Sequence, residues 1–309
     1  MNELSIIMYH YVRPLKDSEY SGIKSLELQK FKRQLDYVEK NYHVITSGDL
    51  ISAASIEGYG LPKNACLLTF DDGYRDHFDY VLPELLHRGL QGSFFPPAKC
   101  VTERSMLNVN KIHYILATCN NYEQLVKELE MLCLENGVDD FDLATYRHDY
   151  FLPSRFDSGE IAYFKRMLQH VLEEAVTQKI LEELFQKYVK RDSAEIADGL
   201  YMTMNEIETL LKLGMYVGGH TYSHKWLNRL RKSAQEREID LSLEFLKLVG
   251  APTTEWIMCY PYGGYNADTL NILRDRKCVV GLTTKPGVAN VTSRNRLALE
   301  RFDTNDFSQ

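Results

Sequence analysis

Short apolar runs alternate with longer stretches of helical spacing along most of this chain. Uninterrupted apolar runs are typical of parallel strands that are covered on both faces. Helix-length segments separate these runs, and this β-α-β rhythm predicts a parallel sheet in an α/β fold. The predicted strands are 5–9, 44–45, 66–70, 92–95, 215–217, 256–260 and 279–282.

Helical spacing predicts helices between these strands. Ser25 precedes the first of them and is its predicted N-cap, while Gly89 marks the end of another. Thr203 is the predicted cap of a later helix. The predicted helices in this part of the chain are 25–41, one from Ser47, 77–88, 204–212 and 235–248.

The middle of the chain has a different pattern and is predicted to be a largely α-helical insertion. Helical spacing covers 110–118, 121–135 and 159–189. Residues 146–151 read as a polar, aromatic loop, which could line a sugar site or simply connect two helices. The predicted division is 1–100 and 201–309 for the two parts of an α/β domain, with 101–200 inserted between them.

The run Cys66–Phe70 stops on Asp71, Asp72 and Gly73, which places two carboxylates at the carboxyl end of a buried strand. Neighbouring strand residues point to opposite faces, so the two can converge only where the backbone has already turned. Gly73 favours such a turn. One carboxylate could then bind a metal while the other acts as a base; the alternative is a solvated turn with Asp as a helix cap.

His220 and His224 follow another predicted strand end, and two imidazoles four residues apart can meet one ion. Zinc accepts nitrogen and carboxylate ligands together, and three protein ligands leave a position for water. Taken singly, each histidine is more often a hydrogen-bonded surface or cap residue. The histidine pair and the Asp-Asp turn together favour a metal site.

These motifs resemble those of the polysaccharide deacetylase family, the carbohydrate esterases with a NodB-homology domain. Residues 69–73 (Thr-Phe-Asp-Asp-Gly) resemble its first motif, 220–224 (His-Thr-x-x-His) its second and 261–265 (Pro-Tyr-Gly-Gly-Tyr) its third. The resemblance covers about residues 4–100 and 200–303. It implies an irregular (β/α) barrel of the NodB-homology type. It also implies that Asp72, His220 and His224 bind a divalent metal.

The resemblance implies further roles in the site. Asp71 would be the general base, Arg301 would orient it, and the backbone N–H of Tyr262 would stabilise the oxyanion; a surface ion pair is the alternative for Arg301. No Leu-x-x-His motif follows His224, so the general acid is His10 or water, or else the enzyme is weakened. Cys259 stands where many members carry arginine, but residues 260–263 (Tyr-Pro-Tyr-Gly) resemble the third motif of a variant group of the family.

Aromatic side chains near the strand ends suit the apolar face of a sugar ring. The candidates for substrate contact are Tyr74, Tyr222 and Tyr265, with ordinary packing as the alternative because the chain contains 20 tyrosines. The expected substrate is therefore an N-acetylated sugar. The expected cofactor is a divalent metal, with zinc as the first candidate.

Charge and cysteine usage limit the remaining possibilities. The net charge is −7, and residues 101–200 hold 11 Lys and Arg against 18 Asp and Glu, so the chain lacks the basic footprint of a nucleic-acid binder. Six cysteines lie at irregular spacings, without the pattern of a disulfide framework or a cysteine zinc site. No signal peptide or transmembrane run is visible, so we expect a cytoplasmic protein.

The sequence thus predicts a metal-dependent deacetylase that acts on an amino sugar in a glycan or glycan precursor. Two alternatives remain open. One is a related C–N hydrolase that acts on a formamide or another small amide. The other is a catalytically silent glycan-binding protein, which the missing downstream histidine and Cys259 favour and the intact Asp and His residues oppose.

Overall fold

The computed structural model describes residues 2–16 and 19–306. The chain divides into two compact units. The first lies within residues 1–15, 25–105 and 198–309, and the second comprises 106–197 together with the short segment 16–24. Within the described residues, no helix combines the length and the apolar character needed to cross a bilayer.

The first unit contains all of the strands that the structure describes. They are β1 (Glu3–Tyr9), β2 (Val12–Arg13), β3 (Leu26–Glu27), β4 (His43–Val44), β5 (Ala65–Asp71), β6 (Ser93–Phe95), β7 (Tyr216–Val217), β8 (Trp256–Cys259), β9 (Cys278–Leu282), β10 (Ala289–Asn290) and β11 (Phe302–Asp303).

Helices connect these strands and make up most of the second unit. They are α1 (Leu28–Asn41), α2 (Ser47–Ser55), α3 (Leu82–Arg88), α4 (Ala98–Thr102), α5 (Asn108–Thr118), α6 (Tyr122–Glu135), α7 (Asp140–Tyr150), α8 (Gly159–Arg166), α9 (Glu174–Tyr188), α10 (Ser193–Leu200), α11 (Met204–Lys212), α12 (Lys232–Leu248) and α13 (Ala267–Asp275). Two π-helical turns, His77–Val81 and Met167–Val171, precede α3 and follow α8.

The central sheet of the first unit is mainly parallel. Its order is β10-β1-β5-β6-β7, and β4 and β11 pair in parallel with β5 and β1; only β10 is antiparallel. Strands β8 and β9 form a separate parallel pair. This arrangement confirms the predicted α/β fold class with a parallel sheet.

Isolated parallel bridges extend the strand pairing beyond these sheets. Gly219, just after β7, pairs with Met258 in β8, and Leu282 in β9 pairs with Leu299. Leu299 lies three residues before β11, which pairs with β1. Strand pairing therefore continues from β1 through β5, β6, β7, β8 and β9 to the segment that contains Leu299 and β11, and β11 pairs with β1 again. This pairing brings the carboxyl ends of β5, β7, β8 and β9 towards a common region.

Burial explains the strand sequences. Every residue of β5 is buried, as are all but the first of β1, and their apolar side chains pack with those of β8 and β9 in one core cluster. Each such aliphatic side chain contributes about 1.5–3 kcal/mol when it is removed from water. A strand so completely enclosed can end in a buried carboxylate only if that carboxylate has a partner.

The structure contains three helices that the sequence pattern did not predict, α4, α10 and α13, and it differs from the predicted helices at three further places. The first helix begins at Leu28 with Glu27 as its N-cap, not Ser25. The predicted helix 159–189 is interrupted at Leu172, which is extended between a π-helical turn and α9. Residues 146–150 belong to α7 and are not a loop, and only Leu143 of that helix is buried.

Candidate active site

The base candidate Asp71 is the last residue of β5 and is 2% exposed. The guanidinium of Arg301, which is fully buried, donates to both carboxylate oxygens at 3.0 and 2.8 Å. Arg301 also donates to the hydroxyl of Thr69 at 3.1 Å and to the carbonyl of Thr283 at 2.7 Å. The bidentate ion pair with Arg301 therefore fixes the plane of the Asp71 carboxylate.

Two opposing effects act on the pKa of Asp71. Burial raises it, but the charges of Arg301 and His220 outweigh burial and bring it to about 2. The thiol of Cys259, whose own pKa is raised by burial, donates to Oδ2 of Asp71 at 3.3 Å. Asp71 is thus an ionised carboxylate at neutral pH, and Cys259 contacts it from the position where many members of the family that the motifs resemble carry arginine.

Asp72 follows the end of the strand and adopts a left-handed backbone with φ of 71°. This turn is uncommon for a residue other than glycine. Its Oδ2 accepts a hydrogen bond from the hydroxyl of Tyr74 at 2.8 Å. Its Oδ1 lies 3.3 Å from Nε2 of His220 and 3.2 Å from Nε2 of His224. The turn therefore directs one oxygen of Asp72 at both imidazoles.

The loop after β7 presents the two imidazoles. Nδ1 of His220 donates to the carbonyl of Cys259 at 2.7 Å, so Nε2 is the ring nitrogen that faces Asp72. The backbone is left-handed at Thr221 and at His224, with φ of 61° and 57°. His220 and His224 are 2% and 9% exposed.

Oδ1 of Asp72 and the two Nε2 atoms fit a divalent metal. All three lie within 4.8 Å of one another. Oδ1 is buried and accepts no well-directed hydrogen bond from any described residue, although both nitrogens are close to it. One carboxylate and two imidazoles are a ligand set that zinc accepts. A metal ion between these three groups would coordinate Oδ1 of Asp72.

A second trio of potential ligands, Asp71, His220 and Cys259, also lies within 4.8 Å. It suits a cation poorly, because the positive charge of Arg301 already occupies both oxygens of Asp71. The same trio would also require deprotonation of the Cys259 thiol, whose pKa is raised by burial.

The pKa values of the ligand candidates move in different directions. Burial opposes the charge of Asp72, but the nearby His224 holds the pKa of Asp72 well below its usual value. For His220, burial is outweighed by Cys259 and Asp72, and the pKa is raised. For His224, burial prevails over the attraction of Asp72, and the pKa is lowered.

His10 lies near this centre, directly after β1, and is half-buried. Its charge contributes to lowering the pKa values of both Asp71 and Asp72, so its imidazole is within electrostatic range of both carboxylates. The carbonyl of His10 accepts a hydrogen bond from Nε2 of the buried His77 at 2.8 Å.

Tyr262 sits in the 3-10 turn Pro261–Gly263 that follows β8, with φ of 56°. Its ring meets that of His224 edge-to-face, at 4.8 Å between centroids. The same ring stacks on Trp226 at 4.6 Å, with the two planes 5° apart. The third-motif turn is therefore anchored directly against one of the metal-ligand candidates.

The three tyrosines predicted to contact substrate lie in different surroundings. Tyr74 is fully buried, stacks on Tyr11 at 3.9 Å and donates to Asp72. A ring enclosed in this way has no face left for a sugar, so the expectation for Tyr74 is corrected. Tyr222 is half-buried and its hydroxyl pairs with Glu103. The ring of Tyr265 stacks on Tyr260 at 5.0 Å.

Sequence reasoning gave Tyr74 a different role and missed two other residues that the structure brings to the site. Tyr74 holds Asp72, Trp226 supports Tyr262, and Glu238 from α12 contacts the histidine loop. Trp226 is one of only two tryptophans and lies two residues after His224, which is a signal that could have identified it. Glu238 gives no comparable signal, because it looks like any polar residue of an exposed helix face.

Comparison with known proteins matches the polysaccharide deacetylase family model to residues 155–280. The matched residues include both histidines but not Asp71 or Asp72. A curated relative, named "Putative polysaccharide deacetylase YxkH" from Bacillus subtilis (strain 168), is 31% identical over 91 residues. That stretch is 29% of this chain and spans about a third (32%) of the relative.

Solved structures similar to this chain share its fold. A Streptococcus pyogenes deacetylase, PplD in complex with acetate, has a TM-score of 0.60 and 17% identity over 97% of this chain and 92% of its own. IcaB from Ammonifex degensii has a TM-score of 0.58 and 19% identity over 99% and 94%. A polysaccharide deacetylase family model thus matches part of this chain, as the motifs predicted, and the likeness to the solved structures concerns the fold alone.

Proposed function

We propose that this chain, a member of the polysaccharide deacetylase family, is a metal-dependent hydrolase that removes the N-acetyl group from an amino sugar in a glycan or glycan precursor. The observation that carries the proposal is the convergence of Asp72 Oδ1 with Nε2 of His220 and of His224, beside the Asp71–Arg301 pair. A binding protein would need no ionised carboxylate next to a metal site.

Asp72, His220 and His224 would hold the metal. A bound divalent ion supplies an acidified water and polarises the amide carbonyl, and zinc is the first candidate. Nδ1 of His220 is already committed to the carbonyl of Cys259, so its Nε2 is the ligand atom. Both oxygens of Asp72 then have a function, because Oδ2 accepts from Tyr74 while Oδ1 faces the ion.

Asp71 would take a proton from the attacking water. Its pKa of about 2 keeps it ionised at neutral pH, but a carboxylate with so low a pKa is a weak base and needs an acidified water. The same property makes protonated Asp71 a strong acid that releases its proton readily. Water adds to the carbonyl carbon, the C–N bond breaks, and the amine nitrogen must receive a proton as acetate leaves.

His10 is the proposed donor of that proton, because its charge already acts on both carboxylates and the chain has no histidine after His224. The backbone N–H of Tyr262 is the proposed contact for the developing oxyanion, since the third-motif turn is packed against His224. Tyr222 and Tyr265 remain the proposed sugar contacts. Tyr74 is reassigned to positioning Asp72.

The solved relative whose structure contains acetate supports acetate as the product. The test is release of acetate from a panel of N-acetylated sugars, oligosaccharides and nucleotide sugars, with formate release measured in parallel on N-formyl analogues. We expect acetate release by the metal-loaded protein and its loss in Asp71→Asn, with metal content retained. Turnover that survives Asp71→Asn would remove Asp71 as the base, and formate release alone would indicate the related C–N hydrolase.

A further inference from the structure

The loop that carries both imidazoles has an unusual backbone. Between Gly219 and His224 two residues, Thr221 and His224, are left-handed. This conformation is rare for any residue with a side chain, and especially for a β-branched threonine. Such positions persist only where the surroundings hold them in place. The spacing of the two Nε2 atoms therefore depends on contacts outside the imidazoles themselves.

One side of the loop is held by backbone contacts. The carbonyls of Thr221 and Tyr222 accept hydrogen bonds from the N–H groups of Ala98 and Lys99, at 3.2 and 2.8 Å. Within the loop, the N–H of His224 donates to the Thr221 hydroxyl at 3.0 Å. These contacts fix the carbonyl side of the loop but leave the N–H groups of Tyr222 and Ser223 to be satisfied from elsewhere.

Glu238 accepts hydrogen bonds from the N–H groups of Tyr222 and Ser223. Its carboxylate projects from α12 and accepts three hydrogen bonds: from the N–H of Tyr222 at 3.1 Å, from the N–H of Ser223 at 2.8 Å and from the hydroxyl of Ser223 at 2.5 Å. Hydrogen bonds to a carboxylate are about twice as strong as neutral ones. A single charged side chain thus clamps the two residues that lie directly before His224.

We infer that Glu238 is a positioning residue for the metal site, holding the loop so that Nε2 of His220 and of His224 meet one ion. This inference rests on the proposed function, because it assumes that the two histidines bind a metal. Groups that orient metal ligands from behind typically change metal affinity by about 10–100-fold when they are removed. Among the described residues, the three hydrogen bonds of Glu238 all go to the loop, so we expect it to act through the loop.

The test is titration of the metal-free protein with Co²⁺, followed by the visible absorption of the bound ion, for the wild type, Glu238→Ala, Glu238→Gln and Glu244→Ala. Glu244 is an exposed residue of the same helix and serves as the control. We expect Glu238→Ala to weaken Co²⁺ binding about 10–100-fold and to alter the spectrum. Glu238→Gln keeps one oxygen acceptor and should recover part of the affinity, while Glu244→Ala should match the wild type.

Wild-type affinity and spectrum in Glu238→Ala would overturn the inference. If Glu238→Ala does not fold, Glu238→Gln decides, because unchanged Co²⁺ affinity in that variant also overturns the inference. The proposed function is judged separately. A wild type that binds Co²⁺ through this loop but releases no acetate would refute the deacetylase proposal and leave the role of Glu238 standing, whereas a wild type that binds no Co²⁺ would refute both.

Discussion

Replacing Tyr74 with Phe removes one hydrogen bond from Asp72 while keeping the aromatic ring. The ring is fully buried and stacks on Tyr11 and Tyr201, so the packing should survive. The contact with the proposed metal site that this change removes is the 2.8 Å hydrogen bond to Oδ2 of Asp72. Partners that orient a metal-binding side chain typically change metal affinity about 10–100-fold when they are removed. We therefore expect zinc affinity to fall about 10–100-fold.

The assay is a competition titration of the metal-free protein with Zn²⁺ and a chromophoric chelator. Tyr9→Phe is the matched control, because Tyr9 is also fully buried and stacked, on Phe70, yet its hydroxyl has no hydrogen-bond partner among the described residues. Tyr9→Phe should leave zinc affinity unchanged. Equal zinc affinities for Tyr74→Phe and the wild type would refute the reasoning that Tyr74 holds Asp72 for the metal.

Three further predictions concern stability. Arg301→Met leaves the buried Asp71 charge without its partner and should cost about 3–5 kcal/mol in urea unfolding; a cost below about 1 kcal/mol would show that the pair is not structurally important. Gly73→Ala should destabilise by at least about 2 kcal/mol, because φ is 66° and the new Cβ would lie 2.6 Å from Pro96 Cβ; unchanged urea unfolding would contradict that geometry. Burial lowers the pKa of His77 from 6.5 to about 4, so its imidazole stays neutral in the folded state. The unfolded chain takes up a proton more readily, so the free energy of unfolding should fall as the pH drops below about 6.5, by about 3 kcal/mol at pH 4. His77→Gln should lack this loss, and parallel pH profiles of the unfolding free energy for both proteins would exclude it.

The sequence predicted the positions of most of the longer strands, because strands enclosed on both faces must be almost continuously apolar. It also placed Asp71, Asp72, His220 and His224 at strand ends, where the structure brings them together. The long-range partner of Asp71 was predictable only through the family resemblance. Nothing local near Arg301 reveals that it lies 2.8 Å from a carboxylate 230 positions earlier.

The local sequence pattern gave a wrong or incomplete prediction where tertiary contacts determine a residue's role. Tyr74 reads as an aromatic at the mouth of a strand, but its hydroxyl and ring are both used inside the protein. The helix α7 lacks a buried stripe, since only Leu143 is buried, so its periodicity was too weak to separate it from a loop. The clamp by Glu238 joins residues 15 positions apart through backbone N–H groups, which no side-chain pattern records.

The central claim is that Asp72, His220 and His224 hold one divalent ion. Elemental analysis of the purified protein after zinc loading and removal of free metal tests it most directly, with Tyr9→Phe as the structural control and His220→Ala and His224→Ala as the site variants. The account predicts one zinc per chain in the wild type and in Tyr9→Phe, and almost none in either histidine variant. Full zinc occupancy in both histidine variants, or no zinc in the wild type, would contradict it.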